Sequence, residues 1–127
     1  MDKLYLNIKS DNNIFFRQLL HLFRSFAPIK DLTEGEINVL AEIMRLNNHY
    51  HDKIKEDHIR RNLIFSQDSR KEMCDKLGMS RDTFNNYLSF LRKKKILDKN
   101  NMLIKALNIF PTDTFEFKVT FNFNNNG

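Results

Sequence analysis

The stretch Ser69-Arg-Lys-Glu-Met-Cys-Asp-Lys-Leu-Gly78-Met-Ser80-Arg-Asp-Thr-Phe-Asn-Asn-Tyr-Leu-Ser-Phe-Leu-Arg-Lys-Lys-Lys-Ile-Leu97 holds two helix starts separated by one helix stop. Ser69 and Glu72 have the S-x-x-E spacing of a capping box, in which a hydroxyl and a carboxylate satisfy the free N–H groups of a first turn. Met73, Cys74 and Leu77 give that helix an apolar face. Gly78 then stands where a helix C-terminus favours left-handed backbone, and Ser80 is placed to cap the next helix with Met79 and Phe84 as its hydrophobic staple. The second helix turns Phe84, Tyr87, Leu88 and Leu91 inward and Asp82, Asn85, Asn86, Ser89 and Lys93 outward. Two helices joined by Gly78-Met79-Ser80 are the expectation.

Upstream, Thr33-Glu34-Gly35-Glu36 is another capping box, stapled by Leu32 and Ile37, so a helix should start at Glu34 and stop near Asn47-Asn48. Phe15, Phe16, Leu19, Leu20, Leu22, Phe23 and Phe26 recur at helical spacings up to Ala27-Pro28, in a helix apolar enough to need partners on two sides. Leu4, Leu6 and Ile8 alternate with polar residues, the period of a half-buried strand over Lys3 to Lys9. His49 to Asn62 is polar and permits a short helix around Ile54, His58 and Ile59, and Leu63-Ile64-Phe65 reads as a short strand. Downstream, Ile96-Leu97, an Asp98 to Asn101 turn and Met102-Leu103-Ile104 read as a hairpin. Phe115, Phe117, Val119, Phe121 and Phe123 alternate with polar residues in a strand pattern, followed by a polar tail at 124–127. The expected class is α+β in a single domain: a strand and helix at 1–28, a core at 32–105, and a strand and tail at 106–127.

Residues 69–97 resemble the winged helix-turn-helix family, whose members bind duplex DNA. The helix from Glu34 would be its first helix and the hairpin after Lys95 its wing. The resemblance implies that the helix starting at Arg81 enters the major groove. Arg81 would then suit guanine, Asn85 or Asn86 adenine, with Ser80, Thr83 and Ser89 on the same helix. Ser69, Arg70 and Lys71 would meet phosphates, and Arg92, Lys93, Lys94, Lys95 and Lys99 would follow the backbone into the wing. Asp82 is the exception, repelling phosphate unless it accepts from a cytosine amine.

Charge agrees with that placement. The 127 residues carry 21 Lys+Arg against 16 Asp+Glu, a net +5. Arg70 to Lys99 alone holds nine Lys+Arg against Glu72, Asp75, Asp82 and Asp98, an excess equal to that of the whole chain. Three separated glycines build no phosphate-cradling loop. Cys74, the single cysteine, excludes an internal disulfide and, with no apolar run of about 20 residues and no export pattern, points to a cytoplasmic protein. His49, His51 and His58 lack a cysteine pair, so neither metal nor cofactor is expected. Cys74 lacks a base, the carboxylate pairs Glu34/Glu36 and Glu56/Asp57 are explained by capping and solvation, and no enzyme is expected.

A second class of function follows from the phenylalanines. The segments Phe15 to Phe26 and Phe115 to Phe123 offer more apolar surface than a compact DNA-binding domain needs. They fit self-association, or a structural subunit of a large assembly such as a viral or phage connector, placed within a virion.

Overall fold

The computed structural model describes residues 2–26 and 29–123; the Ala27-Pro28 stop and the 124–127 tail lie outside them. Five α-helices occur among the described residues: α1 Phe15–Leu22, α2 Glu34–His51, α3 Asp57–Ile64, α4 Gln67–Leu77 and α5 Arg81–Lys93, followed by a 3-10 turn at Lys105–Leu107. Helix α2 starts as its capping box requires. Glu36 N–H donates to Thr33 Oγ1 at 3.2 Å and Thr33 N–H to Glu36 Oε1 at 2.8 Å. Its residues Ile37, Val39, Leu40, Ile43, Met44 and Leu46 are buried, and α1, α3, α4 and α5 all pack on it. It runs past Asn47-Asn48 to His51 because Asn47 is buried and partnered: its amide donates to Asn108 Oδ1 at 2.7 Å and accepts from Arg60 at 2.9 Å. Tertiary bonds override the weak helix propensity there.

The α+β expectation is wrong, because the described chain is helical and has no sheet. Lys3 to Lys9 pairs with no strand, its Lys9 O accepting only from Gln18 Nε2 at 3.4 Å, and Leu4 and Leu6 are 84% and 77% exposed. Phe115 to Phe123 forms no strand either, with Phe121 and Phe123 at 80% and 87%. Alternation shows that a segment could offer one apolar face to a sheet, while a strand also needs a ladder partner. Leu63 and Ile64 end α3 and Phe65 caps it, with Ile64 in the core; so short an apolar run has no period to separate helix from strand. The wing reduces to one antiparallel bridge, Leu97 to Leu103, with Asp98 N–H donating to Met102 O at 2.9 Å and Ile104 N–H to Ile96 O at 3.1 Å. Asn101 takes the expected positive φ of 63° in that turn. The bridge closes the turn, but no strand forms and the expected β-hairpin wing of a winged helix is absent among the described residues.

Helix α1 stops at Leu22, earlier than the apolar spacing to Phe26 indicates. Phe16, Leu19 and Leu20 face the core, while part of its second side is covered within the chain. Phe115 packs edge-on against Phe15 at 5.3 Å and Phe117 against Phe23 at 4.5 Å.

Lys94, one residue past α5, donates to Glu36 Oε1 at 2.6 Å and to Asp31 O at 2.8 Å. Burial alone would raise the Glu36 carboxyl, but hydrogen bonds from Lys94 and Thr33 outweigh it and hold it below its ordinary value of 4.5. A lowered folded pKa contributes stability that is complete above the unfolded value and is lost as pH falls through the folded one. Unfolding free energy is therefore expected to drop as pH falls through and below the ordinary glutamate value of 4.5, and Glu36→Gln should flatten that drop in urea titrations. Equal slopes for the two proteins would show that the tie carries no linkage.

Candidate nucleic-acid interface

The α4–α5 pair forms as the local chemistry dictates, with one shift of register. Helix α4 is capped by Ser66, whose Oγ accepts from Ser69 N–H at 3.3 Å, so Ser69 is the third helical residue and not the cap. Both serines suit a cap, and the upstream one lets Asp68 sit in the first turn against the helix dipole. Ser69 is 4% exposed and cannot reach a phosphate. At the other end Gly78 adopts φ 65° and ψ 35°, and Met79 N–H donates to Cys74 O at 3.1 Å, closing the helix by a left-handed cap. Ser80 Oγ accepts from Thr83 N–H at 3.1 Å and starts α5 at Arg81, as expected.

A Cβ at Gly78 would meet nothing within 4 Å, so any cost of substitution there is backbone strain alone. Gly78→Val is expected to destabilise by about 1–2 kcal/mol in chemical denaturation, since a β-branched residue resists left-handed backbone. Unchanged stability would mean the turn relaxes to another conformation.

Phe84, Leu88 and Leu91 anchor α5 in the core, leaving Arg81, Asp82, Thr83, Asn85, Asn86 and Lys93 exposed. Ser80 and Thr83 spend their hydroxyls on each other and on the cap, at 3.0 Å between oxygens. Asn85, Ser89 and Arg92 stand at i, i+4 and i+7 and form one stripe. Two further arginines border this stripe. Arg70 of α4 donates from Nη1 to Asn85 Oδ1 at 2.9 Å and from Nε to Phe65 O at 2.9 Å, its guanidinium 5.6 Å from the Phe65 ring centre. Arg92 donates to Ser89 Oγ at 3.1 Å and to Asn101 Oδ1 at 2.6 Å, and Arg61 of α3 donates to the neighbouring Asn100 O at 3.3 Å. Arg61, Asn62, Phe65, Asn100 and Asn101 line a surface cleft of about 310 Å³.

All the recorded partners of these three arginines are neutral. Ion pairs among the described residues engage other arginines: Arg17 and Arg24 with Glu34, Arg45 with Glu42 and Glu72, Arg60 with Asp57. Three guanidiniums without a carboxylate partner make this edge of the surface positive, although Asp98 braces the Asn100-Asn101 turn that Arg61 and Arg92 bond. Arg61 is not distinguished in the sequence because the polar stretch 49–62, which includes most of α3, shows no clear period; only the phase of that helix, which buries Arg60 and Ile64, turns Arg61 outward.

Lys71, Lys93 and Lys99 are exposed, whereas Lys94 is drawn to Glu36 and removed from the basic run. Lys95 takes a positive φ of 64° as the chain leaves α5. Burial pushes the Cys74 thiol up from its ordinary range, more than the nearby Arg81 and Arg70 charges lower it, which leaves it a weak nucleophile. His51 stacks on Phe110 at 3.6 Å between ring centres and is held below its usual range by burial and by Lys55 and Arg60. Among the described residues no group of three or more His, Cys, Asp or Glu side chains is gathered to hold a metal, and no helix is long and apolar enough to cross a membrane. No family model, curated protein or solved structure matches the chain.

Proposed function

We propose that this chain binds duplex DNA in the control of transcription or replication, laying the outward face of α5 in the major groove while Arg61, Arg70 and Arg92 hold phosphates along the one edge of that face they border. The observation that carries this reading is the meeting of three carboxylate-free guanidiniums with one exposed amide-rich helix face. A helix about 10–12 Å across fits a major groove about 12 Å wide. Phosphate contacts fix register, and Arg81, Asn85 and Asn86 reach base edges. Lys71, Lys93 and Lys99 extend the positive field around that footprint. Asp82 opposes it, and its place in the first turn of α5 suits the helix dipole. The test is titration of fluorescent duplexes at several salt concentrations. Log affinity should fall against log salt with a slope of about −3 or steeper, at about −0.9 per neutralised phosphate. Absence of binding to random and selected duplexes at low salt would end the reading.

A second reading, a subunit of a larger assembly, is favoured by the two exposed alternating arms, 3–9 and 119–123, neither of which pairs with a strand. Sedimentation of the wild type beside Phe121→Asp/Phe123→Asp decides it. A wild type that stays monomeric at high concentration removes this reading and leaves the DNA one untouched.

A further inference from the structure

We propose that Arg70 is a positioning residue for base specificity: it turns Asn85 so that the pair prefers guanine over adenine. This rests on the DNA-binding reading above and adds to it which base the helix face selects.

The orientation of the Asn85 amide follows from its neighbour. A guanidinium only donates, so the atom 2.9 Å from Arg70 Nη1 must be the carbonyl oxygen, and the NH2 group points away from Arg70. Arg70 is itself held. Its Nε–H donates to Phe65 O at 2.9 Å, and the guanidinium lies over the Phe65 ring, which packs on the core. A fork fixed at one end and bonded at the other gives Asn85 a defined rotamer on the outward face of α5.

The group this pair turns towards the bases is the Asn85 NH2, a donor, while the Arg70 Nη2 stays free for a phosphate. Guanine offers two acceptors in the major groove, N7 and O6, whereas adenine offers the acceptor N7 and a donor at N6. An unrestrained asparagine has a donor and an acceptor side by side and suits adenine. Asn85 has its oxygen committed to a charge-assisted bond, which weakens it as an acceptor for N6–H. The adenine assignment made from residue type alone therefore changes to guanine at this position.

The experiment selects duplexes from a random pool with wild type, Arg70→Met, Arg70→Lys and Asn85→Ala. Wild type should enrich guanine at one position, and Asn85→Ala should erase that preference. Arg70→Met keeps the apolar stem over Phe65 but removes every donor, and should lower the guanine-to-adenine ratio there by about tenfold or more. Arg70→Lys keeps the charge but lacks the rigid planar fork that holds Phe65 O and Asn85 from fixed positions, so it should move the ratio the same way and serves if the Met variant folds poorly. Adenine enriched by the wild type at the Asn85-dependent position, or a ratio that neither Arg70 variant moves, would overturn the role of Arg70 while DNA binding stands. Failure of the wild type to enrich any duplex would overturn both.

Discussion

With Arg61, Arg70 and Arg92 all replaced by Gln, affinity for duplex DNA is expected to fall about a thousandfold at low salt, at roughly tenfold for each charge-assisted bond lost. The salt slope should become shallower by about 2.7, because three phosphates no longer release counterions at about 0.9 each. Glutamine can still donate to Asn101, Asn100 or Phe65 O, so the fold is expected to persist. Arg17→Gln/Arg24→Gln is the matching control. These two arginines already share Glu34, and their loss should weaken binding only modestly. Anisotropy titrations over a salt series measure both quantities. An equal loss per charge in the two sets would mean that binding responds to net charge and not to the arginine-bordered face.

The adjacent arginine gives the largest expected effect on stability. Arg60 is fully buried and donates to Asn47 Oδ1 at 2.9 Å, to Ile54 O at 2.9 Å, to Lys55 O at 2.8 Å and to the Asp57 carboxylate, with its guanidinium 4.9 Å from the centre of the Phe110 ring. Arg60→Met fills the stem and strands three oxygens, each worth about 1–3 kcal/mol when left without a donor. Asp57 is half exposed and returns to water, so it adds little. The expected loss is about 3–5 kcal/mol in urea unfolding, against less than about 0.5 kcal/mol for Arg61→Met beside it. A loss under about 1 kcal/mol at Arg60 would show that these oxygens find water.

That contrast explains what a sequence displays and what it hides. Arg60 and Arg61 are identical residues in one polar segment, and their opposite roles depend on Asn47, a partner on a different helix. Lys94 was legible as one of three basic residues, but its partner Glu36 is far along the chain. Local chemistry was readable: the Thr33/Glu36 box, the Gly78 turn and the Ser80 cap each depend on neighbours within a few positions. The choice between Ser66 and Ser69 was not, since both satisfy the same rule and tertiary packing buries the second. The strand expectations failed for a related reason. The alternation at Leu4 to Ile8 and Val119 to Phe123 is a property of one segment, whereas a sheet is a property of two. Of the proposed interface, α5 and Arg70 could be placed beforehand, while Arg61 could not.

Helix α2 touches each of the other four helices, and this bears on how the chain opens. No neighbour can detach without exposing part of α2, so the amides of α2 exchange with solvent only when most of the molecule has come apart. Opening of α5 alone would expose Phe84, Leu88 and Leu91, and it would also unseat Lys94 from Glu36 at the start of α2. The outer helix is thus coupled to the innermost one at both its apolar face and its end. Amides of α2 should be the slowest to exchange, with those of the 2–10 arm, which lies outside the core, the fastest.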